Sequence, residues 1–139
     1  MKTYERVGYA TALLALSAGL AADDLTGSQS FICSAWHAAV CNTEGACDDT
    51  EAWRLNMPDF LRVDLRGKEL VTPERSDQPR ASPIETIARE GRQLFLSGRQ
   101  EQRAWTWIVN ETSGEGVLAL VSENSSVTLF TVCTSAGAS

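Results

Sequence analysis

The 139-residue chain holds a single histidine, His37. To work as a general base it needs a nucleophile and an orienting acid within reach. Ser34 and the pair Asp48-Asp49 are its nearest partners in sequence. Sequence proximity fixes no geometry, and no Gly-x-Ser-x-Gly elbow occurs. A lone histidine beside Trp36 reads first as a packed strand residue, so no catalytic residue is assigned. Glu44, Asp48, Asp49 and Glu51 form an acidic knot. Carboxylates so close together can ligate Ca²⁺, but the alternating ligands and central glycine of an EF-hand are missing. They read as solvated loop charge, and no metal site or cofactor is assigned. A carboxylate pair could cleave a glycoside, yet nothing selects one pair among 18 acidic residues.

The four cysteines carry a clearer message. Cys33, Cys41 and Cys47 cluster near the start, and Cys133 lies near the end. A zinc site wants four ligands at close spacing, and no second pair completes one. No Cys-x-x-Cys points to redox exchange. An even count in a small exported chain reads as a disulfide framework. Of three possible pairings, Cys33–Cys133 with Cys41–Cys47 is favoured, because Gly45 allows a short clipped turn. The chief rival joins Cys33 to Cys47 and Cys41 to Cys133. Trp36, Trp53, Trp105 and Trp107 suit core and rim positions, or an aromatic pocket or contact patch. Trp36, His37, Trp105 and Trp107 are the candidates for touching a ligand or partner.

These residues need elements to position them. The chain first offers a leader over residues 1–22: Lys2 and Arg6, then a short apolar run from Ala10 to Ala22, too short to span a bilayer. Leu20 stands where a lipidated cysteine would be needed, so no membrane anchor is expected. Residues 23–139 make one domain, placed by this reading in the periplasm or outside the cell. The net charge is −6. Asp23 to Asp59 holds seven acids against Arg54 alone. Nucleic acid is an unsuitable partner, because phosphate binding needs a basic patch.

Phe31 to Val40 is apolar on both strand faces. Simple alternation puts Phe31, Cys33, Ala35, His37 and Ala39 on one side and Trp36 and Ala38 on the other. A helix over Ser34 to Cys41 is the rival reading. Glu51 to Met57 fits a short strand, with Trp53, Leu55 and Met57 aligned. Phe60 to Leu65 alternates cleanly, and Glu69 to Thr72 follows a turn. Pro73 to Pro83 reads as a surface loop. Strands are then expected near Ile84 to Glu90, Gln93 to Ser97, Gln102 to Asn110, Val117 to Ser122 and Val127 to Cys133. Turn signals at such spacing indicate an all-β fold. The expected architecture is an antiparallel meander of about seven or eight strands. A Cys33–Cys133 bond would lay the last strand on the first, closing or nearly closing a small barrel and removing its edges.

Phe31-Ile32-Cys33, Cys41, Gly45, Cys47 and Phe130-Thr131-Val132-Cys133 give the chain a layout. It resembles uncharacterised small secreted or periplasmic proteins of alphaproteobacteria. The resemblance implies a compartment and a fold rather than an activity. Lipocalin-like barrels are the nearest well-known architecture, although Ser34-Ala35-Trp36 stands where a lipocalin has Gly-x-Trp. The expected function is a non-catalytic binding or interaction module. Its partner is a protein or a small apolar ligand, with the Pro73 to Pro83 loop as one contact candidate. The alternatives are a lipocalin-like carrier, and an exported enzyme using His37 or a carboxylate pair.

Overall fold

The computed structural model describes residues 24–72 and 80–136. The expected leader over residues 1–22 lies outside them, as do residues 73–79 of the expected loop. Among the described residues ten strands form one antiparallel sheet. They are β1 (Ser30–Asn42), β2 (Cys47–Thr50), β3 (Leu61–Asp64), β4 (Glu69–Val71) and β5 (Ala81–Pro83), then β6 (Thr86–Glu90), β7 (Gln93–Gln100), β8 (Arg103–Asn110), β9 (Glu115–Val121) and β10 (Ser125–Ser135). The order is β5-β4-β3-β1-β10-β9-β8-β7-β6, with β2 beside β1. The all-β antiparallel expectation holds, with ten strands rather than seven or eight.

The barrel is not closed. The ladder runs from β5 to β6, and no pairing joins these two ends, so the sheet is an open half-barrel. The reason lies in the chain path. β5 and β6 are successive pieces of one run, separated by Ile84 and Glu85. Two pieces in line cannot pair side by side without a turn between them. The run changes partner instead: Ile84 N–H donates to Lys68 O toward β4, and Glu85 N–H donates to Ser97 O toward β7. The first and last strands, expected to seal the sheet, lie at its middle. Both outer strands are short, which limits edge-to-edge association.

Both favoured disulfides are present, Cys33–Cys133 and Cys41–Cys47. Each joins residues directly opposite one another across an antiparallel pair. The β1–β2 hairpin depends on Asn42 and Gly45. Asn42 Oδ1 accepts from Glu44 N–H at 3.0 Å and Ala46 N–H at 3.1 Å. Gly45 takes φ 80°, a region that side chains disfavour. The strand expected over Glu51 to Met57 is a 3-10 turn at Ala52–Leu55. Asn56 at φ 52° ends it, so Trp53, Leu55 and Met57 do not align as strand neighbours.

The concave side is packed. Phe31, Leu94, Leu96, Trp107, Val109 and Leu129 are among its fully buried side chains. Two tryptophans anchor it through both ring and indole N–H. Trp107 Nε1 donates to Thr131 Oγ1 and Trp105 Nε1 to Ser82 Oγ, each at 3.1 Å. Each sits against a strand glycine. A Cβ on Gly116 would lie 2.9 Å from Trp107 Nε1, and one on Gly98 would lie 2.7 Å from Trp105 Cζ2 and overlap Pro83 O. Among the described residues no buried side-chain polar atom lacks a partner. The burial of two indoles thus leaves no polar group stranded.

Candidate functional site

The site is built on an irregularity of β1. One edge of β1 pairs with β10 along its length. The other pairs with β3 over Ser30 to Cys33 and with β2 over Ala38 to Cys41, leaving Ser34 to His37 without a ladder on that side. There a bulge shifts the register between Ala35 and His37. One extra residue reverses the facing of all that follow. Ala38 therefore points inward like Phe31 and Cys33, and His37 faces outward. The expectation that His37 shares the Cys33 face is corrected by this bulge. Trp36, within it, is turned out to 64% exposure.

Outward side chains line up across the strands. Phe95, Ile108, Val117, Phe130 and His37 are successive cross-strand partners on β7, β8, β9, β10 and β1. Ile108 and Val117 are exposed, and Phe95 and Phe130 half-buried. Trp36 stands over the β1 end. Its ring centroid lies 5.6 Å from that of His37 and 6.0 Å from that of Phe130, while His37 and Phe130 are 5.8 Å apart. An open groove of about 450 Å³ runs along this row, bordered by Trp36, Ile108, Val117 and Phe130, with Gln93, Asn110 and Glu115 at its rim. Cross-strand aromatic and β-branched contacts stabilise a sheet, but here they also leave a broad apolar strip facing solvent.

Asp49 of β2 reaches the same place. Its Oδ1 lies 3.6 Å from His37 Nε2. The pair resembles a base with its orienting acid, but among the described residues no nucleophile is hydrogen-bonded to His37. Ser34 makes no hydrogen bond to His37, and all four cysteines are bonded in disulfides. Among the described residues no group of three His, Cys, Asp or Glu is arranged to hold a metal.

The other two candidates lie elsewhere. Trp107 is buried completely, and Trp105 almost so. Trp105 borders an interior cavity of about 70 Å³ between Met57, Leu61, Leu70 and Leu118, with Arg80, Gln100 and Arg103 near its mouth. Pockets that hold small organic ligands usually measure roughly 300–1,000 Å³. The structure therefore brings Trp36 and His37 together and separates them from Trp105 and Trp107. Sequence reading missed Phe130, Asp49, Ile108 and Val117 as members of the outer cluster. The alternation around Phe130, Ile108 and Val117 was legible, but the register joining them was not; Asp49 stands in a stretch read as a turn, which forms β2.

The two disulfides are those of a protein matured under oxidising conditions. Among the described residues no helix is long and apolar enough to cross a membrane. Compared with known protein-family models and with curated protein sequences, the chain matches none.

Proposed function

We propose that this is an exported, periplasmic or secreted, non-catalytic interaction module, which binds a protein partner through the outer face of β1, β10, β9 and β8. One observation carries this reading: the β1 bulge holds a tryptophan in solvent at the end of an in-register apolar row. Burying a large indole would be favourable, by about 1.5–3 kcal/mol for a comparable apolar side chain. Aromatic residues with apolar neighbours and a polar rim are the usual make-up of a contact patch. A stapled sheet suits this role, since a rigid scaffold loses little freedom on binding. The packed interior favours a surface contact over enclosure of a ligand.

Site-directed photo-crosslinking tests the reading. A photoreactive phenylalanine analogue placed at position 36 or 117, in cells that export the protein, should yield a discrete adduct. The same analogue at position 53 or 89 should not. Uniform labelling at all four positions would refute a dedicated face.

A further inference from the structure

Resting on that reading of the outer face, we infer that the segment docking there is cationic: an arginine- or lysine-bearing stretch of a partner protein, with one basic side chain seated against Trp36 and Phe130 beside Asp49. The protein carries two highly exposed tryptophans, and their surroundings differ. Trp53, 65% exposed, is already covered by a cation, since the Arg54 guanidinium lies 4.9 Å from its ring centroid. That same Arg54 is held by Glu51 at 3.4 Å. Trp36, exposed to the same degree, has no cation over its ring among the described residues. Its neighbours are instead aromatic and acidic. The Phe130 ring is tilted 48° from it at 6.0 Å, and Asp49 lies beside the His37 ring that touches both.

Aromatic faces attract cations within about 6 Å of the ring centre. A carboxylate beside the rings adds a charge-assisted hydrogen bond for a guanidinium or ammonium. The wider charge pattern points the same way. Glu44, Asp48 and Asp49 on the β1–β2 arm are exposed, and none has a lysine or arginine partner among the described residues. Glu115, at the rim of the groove, is exposed and likewise unpaired. On β6 and β7 the arginines are engaged: Arg89 with Glu111 and Arg99 with Glu85, both at 3.0 Å. Arg62 stands opposite Ile32, farther along the face, and Arg92 lies in the β6–β7 turn. An anionic partner would meet uncompensated carboxylates here, whereas a basic one would neutralise them.

The test uses three twelve-residue peptides of common design, Gly-Ser repeats carrying three arginines, three glutamates or three leucines, together with a chitin hexasaccharide. Each is titrated into the folded full-length protein while the indole N–H signals and the Asp49 amide are followed by ¹H–¹⁵N NMR. The arginine peptide should shift the Trp36 indole and the Asp49 amide and leave the Trp107 indole in place. Its affinity should fall about threefold or more when salt rises from roughly 50 to 300 mM, as screening of exposed charge requires. Trp36→Ala should weaken it about fivefold, and Asp49→Asn about threefold. Trp36→Phe should retain most of the binding, and Trp53→Ala should leave it unchanged. Should Trp36→Ala fold poorly, the Phe and Asn variants still decide the matter.

If the leucine peptide or the hexasaccharide shifts Trp36 while the arginine peptide does not, the cationic inference is overturned and the contact face stands. Equal shifts from the glutamate peptide would also overturn it. If no probe moves the Trp36 indole, the inference fails, and absence of the position-36 crosslink would separately remove the face itself.

Discussion

Gly116→Ala offers a stringent check on how the core is organised. Gly116 lies on β9 opposite Thr131 of β10 and Val109 of β8. An added Cβ would lie 2.8 Å from Ile108 O and 2.9 Å from both Thr131 Oγ1 and Trp107 Nε1. None of these is the free end of a flexible side chain. Ile108 O belongs to the ladder, and the other two atoms hydrogen-bond one another at 3.1 Å. Overpacking of this kind costs about 1–3 kcal/mol. Loss of the Trp107–Thr131 bond with both groups still buried adds about 1–3 kcal/mol. Against this, alanine stiffens the unfolded chain, which is worth about 0.4–1 kcal/mol. These ranges give a net loss of about 1–6 kcal/mol, centred near ~3. Urea unfolding followed by tryptophan fluorescence would show a midpoint lowered by about 1–2 M. A double-mutant cycle sharpens the point. In a Thr131→Ala background the hydrogen bond is already gone, so Gly116→Ala should cost about 1 kcal/mol less there. A midpoint unchanged within error, or strict additivity of the two changes, would refute the claim that this glycine makes room for a hydrogen-bonded indole.

Other perturbations separate the roles of the remaining residues. Replacing both Cys33 and Cys133 by serine should cost up to about 4.7 kcal/mol by loop entropy, against roughly 2 kcal/mol for Cys41 and Cys47, read as the shift in urea midpoint. Trp36→Ala should change stability by no more than about 0.5 kcal/mol, whereas Trp107→Ala should cost about 3–5 kcal/mol, both measurable by thermal unfolding. His37→Ala should stay folded and lose about 1 kcal/mol or less, because its contact with Asp49 is solvent-exposed; circular dichroism with thermal unfolding checks this. The Asp24 carboxyl is held below its ordinary pKa by the Thr26 hydroxyl and then the Thr26 amide, whose N–H donates to Asp24 Oδ1 at 2.8 Å. A depressed carboxylate stabilises the fold above its unfolded pKa, and that contribution is lost as pH falls through the folded one. Asp24→Asn should accordingly flatten the acid limb of the stability–pH curve, a change that acid titration by fluorescence would detect.

The strand content of the chain was legible where alternation was clean. Trp105, Trp107 and Val109 share a side in sequence and share the core in the structure. Cys33 and Cys133 could be paired because the turn at Gly45 lets Cys41 and Cys47 clip to each other, and they prove to be register partners. Three features were hidden for physical reasons. The bulge in β1 reverses side-chain facing from His37 onward, and a run apolar on both sides gives no alternation to reveal it. Trp53, Leu55 and Met57 satisfy a period of two, but the left-handed Asn56 breaks the extended backbone. The first and last strands were expected to meet and close the sheet; they do meet, but the sheet stays open. Its outer strands come from the middle of the chain, because the run through Ile84 and Glu85 divides its hydrogen bonds between two neighbours. The outer cluster needed register across five strands, and register is a long-range property that no local window contains.

The bridge between β1 and β10 bears on how the domain would respond to mechanical load. The chain between Cys33 and Cys133 is a covalent loop 100 residues long. Tension applied at the two ends of the domain enters through residues just before Cys33 and leaves through those just after Cys133. Between these points it passes through the sulfur–sulfur bond, not along the backbone. The ladder contacts of Phe31 and Ile32 with Ser135 and Thr134, and those of Ser30 to Ile32 with β3, would be peeled apart. The bulge, the aromatic face and the packed interior apart from Leu25 and Phe31 belong to the loop, where the pull does not reach. A protein tethered at either end could thus be stretched without losing the surface it presents.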